Sequence, residues 1–258
     1  TGHVKYDGYN DYRGGGHFSG RITAPLTFAG AIAKQILAKE GIVIGAHALS
    51  VAGIMDFPFD PLGEEPDLFE KLSSMRLPVI DGEQGAAMEE AIFAAQKEGD
   101  SVGGQIECMA LGLPVGMGEP FFDSLESEMA HMAFSIPAVK SISFGDGETL
   151  AGMRGSEAND PMRYENGKVK TITNHNGGVL GGISNGNPLR FTVTIKPTAS
   201  IGKRQETVDI SKKEDTMLSI GGRHDPCIVT RAIPVVENAA AFVLLDLLLT
   251  GRRYHYGR

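Results

Sequence analysis

The alternation of apolar and polar residues at positions 189–196 constrains the fold more than any other feature of this chain. The apolar positions are Leu189, Phe191, Val193 and Ile195, and the polar positions are Arg190, Thr192, Thr194 and Lys196. Successive side chains of a β-strand point to opposite faces of its sheet. The pattern therefore predicts a strand over residues 189–195, in an antiparallel sheet that has one face in the core and one face in water.

A long apolar segment at positions 234–249 adds a helix to this sheet. Apolar residues occupy nearly every side of the helix that this segment would form, and a helix that is hydrophobic all round is buried. Pro234 suits the first helical position, where its missing N–H has no intrahelical partner to lose. We therefore predict a buried C-terminal helix that begins at Pro234.

Shorter segments fill the rest of the chain with both kinds of element. Helical spacing of apolar residues predicts helices at positions 25–39, 67–74, 84–98 and 121–134. Apolar runs bounded by turn residues predict strands at positions 42–51, 105–111, 139–144 and 206–210. Residues 153–176 are polar and contain glycine, which indicates a long excursion from the core. No linker or short repeat divides the chain, so we predict one α/β (α+β) domain over residues 1–258 with mostly antiparallel strands.

Composition narrows the class of protein. A chain of 258 residues is long enough for one large domain or two small ones. The net charge of −8 argues against nucleic acid as the main partner, although it leaves room for an anionic small molecule. The longest apolar run, residues 239–249, is interrupted by Asp246 and is too short to cross a membrane. Cys108 and Cys227 lack metal-ligand spacing and indicate a reducing compartment such as the cytoplasm.

A glycine-rich loop at residues 11–21 is the first candidate for chemistry. Gly14 to Gly16 allow a backbone to approach a ligand closely. His17, Ser19 and Arg21 add an imidazole, a hydroxyl and a guanidinium just before a predicted helix. Such a loop suits a phosphorylated or carboxylated ligand. A glycine-rich turn that caps an ordinary helix explains the same residues, and both interpretations stay open.

Three further clusters combine polar groups with turn residues. Residues 175–186 place His175 before two glycine pairs, which fits either ligand approach or a pair of tight turns. Residues 196–200 end the amphipathic strand with one cation and two hydroxyls, which fits either an anion or a solvated strand end. Residues 223–227 join a cation, an imidazole and a carboxylate, and Asp225 could accept a proton or form an internal ion pair. His47 and His131 lie in apolar runs and indicate core or interface histidines.

Taken together, these segments resemble the chorismate synthase family. The resemblance covers essentially the whole chain and is carried by several motifs in the family's order. They are Asp11-Tyr-Arg-Gly-Gly-Gly-His-Phe-Ser-Gly-Arg21, Ala29-Gly-Ala-Ile-Ala-Lys34, Lys97-Glu-Gly-Asp-Ser-Val-Gly-Gly104, Gly116-Met-Gly-Glu-Pro120, Arg154-Gly-Ser-Glu157, residues 174–186, Lys196-Pro-Thr198 and Gly222-Arg-His-Asp-Pro-Cys227.

The resemblance implies a specific reaction and a specific cofactor. The family converts 5-enolpyruvylshikimate 3-phosphate to chorismate and phosphate by a 1,4-anti elimination in the shikimate pathway. It requires reduced FMN, which lends electron density to the substrate although the reaction has no net redox change. The family fold is a β-α-β sandwich that usually forms a cytoplasmic homotetramer. Some members also reduce flavin with NADP as the nicotinamide partner, and whether that activity resides in this chain stays open.

Motif matching then implies roles for individual residues. Arg21 resembles the arginine that faces the substrate, and Asp225 resembles the carboxylate that removes a proton beside the flavin, with Arg223 next to it. The residues that the resemblance assigns to flavin binding are His17, Phe18, Ser19, Pro137, Ala138, Gly181, Lys196, Pro197, Thr198, Ala199, Ser200 and Arg223. No residue is assigned to a metal.

The sequence also departs from the family pattern. His17 replaces an arginine of many members, and Pro137 replaces an asparagine, so side-chain contacts at these positions differ. The family's Gly-Glu-Ser-His-Gly and Arg-Pro-Gly-His-Ala-Asp motifs, which each supply a catalytic histidine, do not occur in the 258 residues. We therefore expect a fragment with severely impaired turnover, because each general acid contributes about 10² to 10⁴ in rate. The alternative is a non-catalytic module that binds FMN or another anion and supports oligomerisation.

Overall fold

The computed structural model describes residues 1–11, 15–165, 167–222 and 224–255, and for residues 168 and 252–255 it describes the backbone alone. The helices, in chain order, are α1 (Gly2–Lys5), α2 (Ala24–Lys39), α3 (Pro66–Ser73), α4 (Gly82–Lys97), α5 (Leu125–Ser135), α6 (Gly155–Ala158) and α7 (Val229–His255). The strands are β1 (Val43–Val51), β2 (Ile54–Met55), β3 (Gly104–Leu111), β4 (Val139–Phe144), β5 (Met162–Glu165), β6 (Lys168–Thr171), β7 (Val179–Leu180), β8 (Ile183–Ser184), β9 (Leu189–Ile195), β10 (Gln205–Asp209) and β11 (Glu214–Leu218).

A five-stranded sheet in the order β2-β1-β3-β9-β4 forms the centre of the fold. Each neighbouring pair in this sheet is antiparallel. Strand β9 has the bounds that the alternation predicts, and it lies between β3 and β4. The register aligns Val51 with Gly104, Gly104 with Ile195, and Ile195 with Val139. These four residues mark one end of the sheet, which we call the site end.

The first face of the sheet packs against α2, α5 and α7 and carries the main hydrophobic core. The apolar residues of β9 all lie in this core, as the alternation predicts. Helices α2 and α7 approach each other closely, because a side chain on Gly30 would collide with the carbonyl oxygen of Asn238. Lys34 of α2 also forms an ion pair with Glu237 of α7.

The second face of the sheet is covered at Arg190 rather than wet, which corrects the prediction for this part of β9, while Thr192 and Thr194 are half-buried. Phe69 of α3 packs there with Phe59 and with Met109 of β3. Arg190 of β9 is only 8% exposed. Its guanidinium donates to Asp146 (Nη2–Oδ1 2.6 Å) and to Glu107 (Nη1–Oε1 3.3 Å). A polar residue is buried on this face because its charge is paired by residues far away in the sequence.

His47 of β1 extends this pairing into a continuous buried network. Its Nδ1 lies 3.1 Å from Asp56 Oδ2, and its Nε2 lies 3.0 Å from Glu107 Oε2. The Asp56 carboxylate also accepts backbone N–H groups from Ile80 and Asp81. His47 is fully buried, which fits the interpretation of a core histidine.

Helix α7 is longer than predicted and begins at Val229, so Pro234 lies inside it rather than at its first position. Pro234 is close to the N-terminus, where it removes only one intrahelical hydrogen bond. The helix buries Val229 and Ile233 on the preceding turns, and that burial favours a helical conformation ahead of the proline.

The same helix corrects the predicted length of the longest apolar run. The segment Val229–Gly251 is long and apolar enough to span a membrane by length and composition, unlike residues 239–249 alone. In this fold, 61% of its most apolar stretch is buried within the protein. It packs against α2, α5, β1 and β3, as the core helix of a folded domain does.

The remaining predicted elements occur with small shifts of their ends. Helix α5 begins at Leu125 rather than at Phe121, because Phe121–Asp123 forms a 3-10 turn and the Ser124 hydroxyl caps the helix by accepting from Ser127 N at 3.0 Å. The predicted excursion contains the β5–β6 hairpin. Helices combined with an antiparallel sheet confirm the α+β class.

Candidate active site

The site end of the sheet collects most of the predicted site residues. Strands β1 and β9 end there, and strands β3 and β4 begin there. Helix α7 starts three residues after Pro226, whose carbonyl oxygen accepts from Val102 N at 2.8 Å beside the first residue of β3. The first turns of α2 and α7 line one cleft, so α2 also begins near this end.

The segment before β3, residues 99–103, connects the two C-terminal clusters. Ser101 Oγ donates to the carbonyl oxygen of Thr198 at 2.7 Å. Val102 N donates to Pro226 O from the same stretch of backbone. Gly103 has no room for a side chain, because a Cβ would lie 2.5 Å from Ile195 O and 2.9 Å from Pro197 Cδ. Glycine at this position therefore permits the close packing that brings residues 196–200 next to residues 224–227.

The segment that contains Lys196, Pro197, Thr198, Ala199 and Ser200 follows β9 without regular secondary structure. Lys196 N donates to Ala138 O at 3.0 Å, so the predicted flavin residues on either side of this bond are neighbours. The Thr198 hydroxyl is shielded from solvent and finds no hydrogen-bond partner among the described residues. A buried hydroxyl without a partner is costly, so this group is available to a bound ligand.

Pro137 and Ala138 form the turn between α5 and β4 at the same end. Ala138 has a φ of +76°, in the left-handed region that L residues with a side chain avoid. Backbone strain of this kind is concentrated at functional sites. The carbonyl of Ala138 is already used by Lys196, so a ligand would contact this turn through its other atoms.

Asp225 lies four residues before the start of α7, and each of its two carboxylate oxygens has a partner residue. Its Oδ1 accepts from Cys227 N at 3.4 Å, which fixes the turn before the helix. Its Oδ2 lies 3.1 Å from Arg231 Nε, an ion-pair distance. The same oxygen is shielded from solvent and makes no hydrogen bond to the described residues, so the two groups are paired by charge but are not aligned as donor and acceptor.

The loop residues His17, Phe18 and Ser19 lie just ahead of α2. His17 and Phe18 are exposed within a 3-10 turn, and Ser19 Oγ accepts from Arg21 N at 3.2 Å. Arg21 is exposed and lines a shallow cleft of about 420 Å³ between the starts of α2 and α7. Arg231 lines the same cleft, so two cations face one opening.

One predicted residue, Gly181, is not part of this assembly. Gly181 lies in the turn between β7 and β8, where the neighbouring Gly182 accepts from Leu125 N at the start of α5. That is the opposite end of α5 from Pro137, and the 11 residues of α5 separate the two ends by about 16 Å. Arg223 falls outside the described residues.

Sequence reasoning did not find Arg231. Its position six residues after Asp225 and three residues before Pro234 carries no motif signal of its own, because the helix that holds it was expected to begin at Pro234. A helix start at Val229 would have placed Arg231 in the first turn, next to the residues before the helix.

Among the described residues, no group of three His, Cys, Asp or Glu side chains could hold a metal ion.

These features define an α+β protein whose sheet end combines glycine-permitted close backbone packing, an unpartnered hydroxyl, a paired carboxylate and two exposed arginines. The sequence model of the chorismate synthase family matches residues 1–249. The chain therefore belongs to the chorismate synthase family, a family of lyases of the shikimate pathway.

Individual relatives agree with this assignment. The chorismate synthase of Dehalococcoides mccartyi (strain ATCC BAA-2266) is 47% identical over 249 residues, which is 96% of this chain and 67% of that protein. The chorismate synthase of Korarchaeum cryptofilum is 44% identical over 97% of this chain and 68% of its own length. A crystal structure of chorismate synthase superposes with a TM-score of 0.78 at 26% identity, covering 97% of this chain and 70% of that one. The chain thus spans about two thirds of the length of these relatives.

Proposed function

We propose that this chain carries the chorismate synthase reaction, the 1,4-anti elimination of phosphate from 5-enolpyruvylshikimate 3-phosphate. The observation that supports this most is the convergence of Asp225, Lys196–Ser200 and the Pro137–Ala138 turn at one end of the sheet. These residues come from three separate segments of the chain, and the antiparallel register of β4 and β9 helps to bring them together. The two arginines of the adjacent cleft suit an anionic substrate, because guanidinium groups bind phosphate and carboxylate oxygens.

Reduced FMN fits the same end of the sheet. The buried Thr198 hydroxyl lacks a partner, and the backbone of residues 196–200 after β9 is not engaged in the sheet. We propose that Lys196–Ser200, Pro137–Ala138 and the His17–Ser19 loop hold the flavin. Gly181 lies at the other end of α5, so we propose that it would contact this flavin only from another copy of the chain in an oligomer. When bound, reduced flavin supplies electron density as the substrate phosphate departs.

Asp225 and Arg21 do the chemistry that this chain's own side chains can supply. In the elimination, the C6–H bond breaks and its proton passes to Asp225, while the C3–O bond breaks and phosphate leaves with the bonding electrons. Asp225 is suited to the first task because its carboxylate is fixed by Cys227 N and paired with Arg231. Arg21 is suited to the second because its guanidinium is exposed in the cleft and binds phosphate oxygens well.

The rate of this polypeptide depends on groups that its 258 residues do not contain. We propose that the two histidine motifs of the family must be supplied for full turnover, and that the chain alone is severely impaired. We also propose a cytoplasmic homotetramer. Both cysteines are buried and unpaired, which suits a reducing compartment.

Titration of the polypeptide with FMN, followed by flavin fluorescence, tests the cofactor proposal directly. We expect FMN to bind and 5-enolpyruvylshikimate 3-phosphate to tighten that binding. Thr198→Val should weaken FMN binding by about tenfold, because a bound ligand would lose one hydrogen bond in a buried position. Thr149→Val, which removes an exposed hydroxyl on a distant turn, is the matched control. If Thr198→Val and Thr149→Val bind FMN equally well, the site does not use the Thr198 hydroxyl.

A further inference from the structure

The guanidinium of Arg231 contacts the proton-accepting carboxylate on one side and an open cleft on the other. Its Nε lies 3.1 Å from Asp225 Oδ2. The side chain is 80% exposed, and it lines the cleft that Arg21 also lines. Among the described residues, no second carboxylate lies within ion-pair distance of Arg231.

We propose that Arg231 is a positioning residue for the elimination, which holds the Asp225 carboxylate by the charge pairing at Nε and offers its other N–H groups to a substrate anion beside Arg21. This inference rests on the proposed function, because it assigns the proton acceptor to Asp225. It adds a residue on α7 that links anion binding in the cleft to the orientation of the base.

The shape of the guanidinium explains how one side chain can serve both groups. Arginine presents five N–H donors in a rigid plane, so the edge that carries Nε can face one anion while the far edge faces another. A lysine ammonium at this position would keep the positive charge but would lose the fixed plane. The first turn of α7 anchors Arg231, since its backbone N donates to Ile228 O at 3.1 Å.

Burial makes the pairing with Asp225 effective. Asp225 Oδ2 is shielded from solvent, while its side chain as a whole is 23% exposed. Without Arg231, this oxygen would be buried with no charged partner among the described residues. It would then be free to rotate toward water or toward another donor. Fixing the orientation of a general base in this way raises turnover without changing substrate affinity.

The test compares Arg231→Lys and Arg231→Gln with Arg163→Gln, which removes an exposed arginine from β5. The affinity for inorganic phosphate is measured for each variant by isothermal titration calorimetry. We expect Arg231→Gln to weaken phosphate binding by about threefold to tenfold relative to Arg163→Gln, and Arg231→Lys to stay within about twofold of the parent chain. Equal phosphate affinity in Arg231→Gln and Arg163→Gln would overturn the cleft role.

Measurement of kcat and KM distinguishes the positioning role of Arg231 from its role in anion binding. With reduced FMN and substrate, Arg231→Lys should lower kcat by about tenfold and leave KM near the parent value. A parent-like kcat in Arg231→Lys would overturn the positioning role. Thermal unfolding of every variant checks that it is folded.

A spectroscopic signal keeps the inference testable if the parent polypeptide shows no turnover. The ¹H–¹⁵N resonance of the Arg231 Nε–H group should move on Asp225→Asn, and it should move again when inorganic phosphate is added to the parent chain. Absence of turnover in the parent alone is expected, because the two histidine motifs are missing from its 258 residues. Absence of turnover that persists when those motifs are supplied would count against the proposed function, while both shifts would still support the role of Arg231. A resonance that is unchanged by Asp225→Asn would overturn the pairing.

Discussion

At the scale of single residues, buried charges on the second face of the sheet are the least expected feature of this chain. Burial lowers the pKa of His47, but hydrogen bonds to Asp56 and Glu107 outweigh it and raise the pKa above its ordinary value. Burial raises the pKa of Asp56, but hydrogen bonds from His47 and from the N–H groups of Ile80 and Asp81 outweigh this effect. The pKa of Asp56 therefore lies below its usual range. The network therefore favours a protonated His47 beside an ionised Asp56.

This arrangement predicts how stability depends on pH. A histidine whose pKa is raised in the folded state contributes stability that is fully present below its unfolded pKa of about 6.5. That contribution is lost as pH rises through the folded value. The low pKa of Asp56 makes its own contribution constant at neutral and alkaline pH, since it is lost only when pH falls through the folded value.

We predict that His47→Gln lowers the free energy of unfolding by about 3 kcal/mol at pH 6, because it breaks a buried ion pair. The difference from the parent should shrink as pH rises above about 6.5 and through the raised folded pKa of His47. Urea unfolding at several pH values measures both quantities. His131→Gln, on the exposed side of α5, is the control and should change stability little at any pH. A His47→Gln penalty that does not vary with pH would show that the histidine is not charged in the folded protein.

At the scale of elements, the contact between α2 and α7 positions the site. Gly30 lies in the middle of α2, where alanine is the better helix former by about 1 kcal/mol. A methyl group there would nonetheless overlap the backbone of Asn238 in α7. The absence of a side chain thus lets the two helices pack closely enough to bring Arg21 and Arg231 to one cleft.

We predict that Gly30→Ala destabilises the protein by about 2 kcal/mol despite its gain in helix propensity, because overpacking costs about 1 to 3 kcal/mol and the contact atom is backbone. Gly82→Ala at the start of α4, where nothing lies within 4 Å of the added carbon, should be neutral or slightly stabilising. Urea unfolding of both variants decides the question. A stabilised Gly30→Ala protein would mean that α2 and α7 separate easily.

The elements also show what local sequence can and cannot predict. The alternation gave β9 its bounds because side-chain period two is a local property. It misplaced Arg190 in water, because the partners that bury it are Glu107 and Asp146, which lie 83 and 44 residues away. The predicted start of α7 was wrong for a similar reason. Burial of Val229 and Ile233 in the core outweighed the local preference of Pro234 for the first helical position. Local sequence patterns could not predict that the residues at the site end lie together, because the register of four strands brings them there. Only the resemblance to a family grouped these residues in advance.

At the scale of the whole molecule, one main core extends from the sheet to α2, α5 and α7. Cys108 lies at the centre of this core on β3, and burial raises the pKa of its thiol well above the ordinary value. Cys227 lies near the site end and is also buried, and burial raises the pKa of its thiol. The two thiols therefore report on the centre and on the site end of the same core.

If residues 1–258 form one domain, both thiols should become reactive in the same unfolding transition. We predict that Cys227→Ser, which leaves Cys108 alone, and Cys108→Ala, which leaves Cys227 alone, each react with a thiol reagent at the urea concentration where far-ultraviolet circular dichroism reports loss of helix. Buried thiols react slowly because the thiolate is disfavoured and access is closed, so reactivity measures opening of the core. Coincident midpoints would mean that the site end and the centre of the sheet unfold as one cooperative unit. An earlier midpoint for Cys227 would mean that the site end opens independently, and the single-domain prediction would then be wrong.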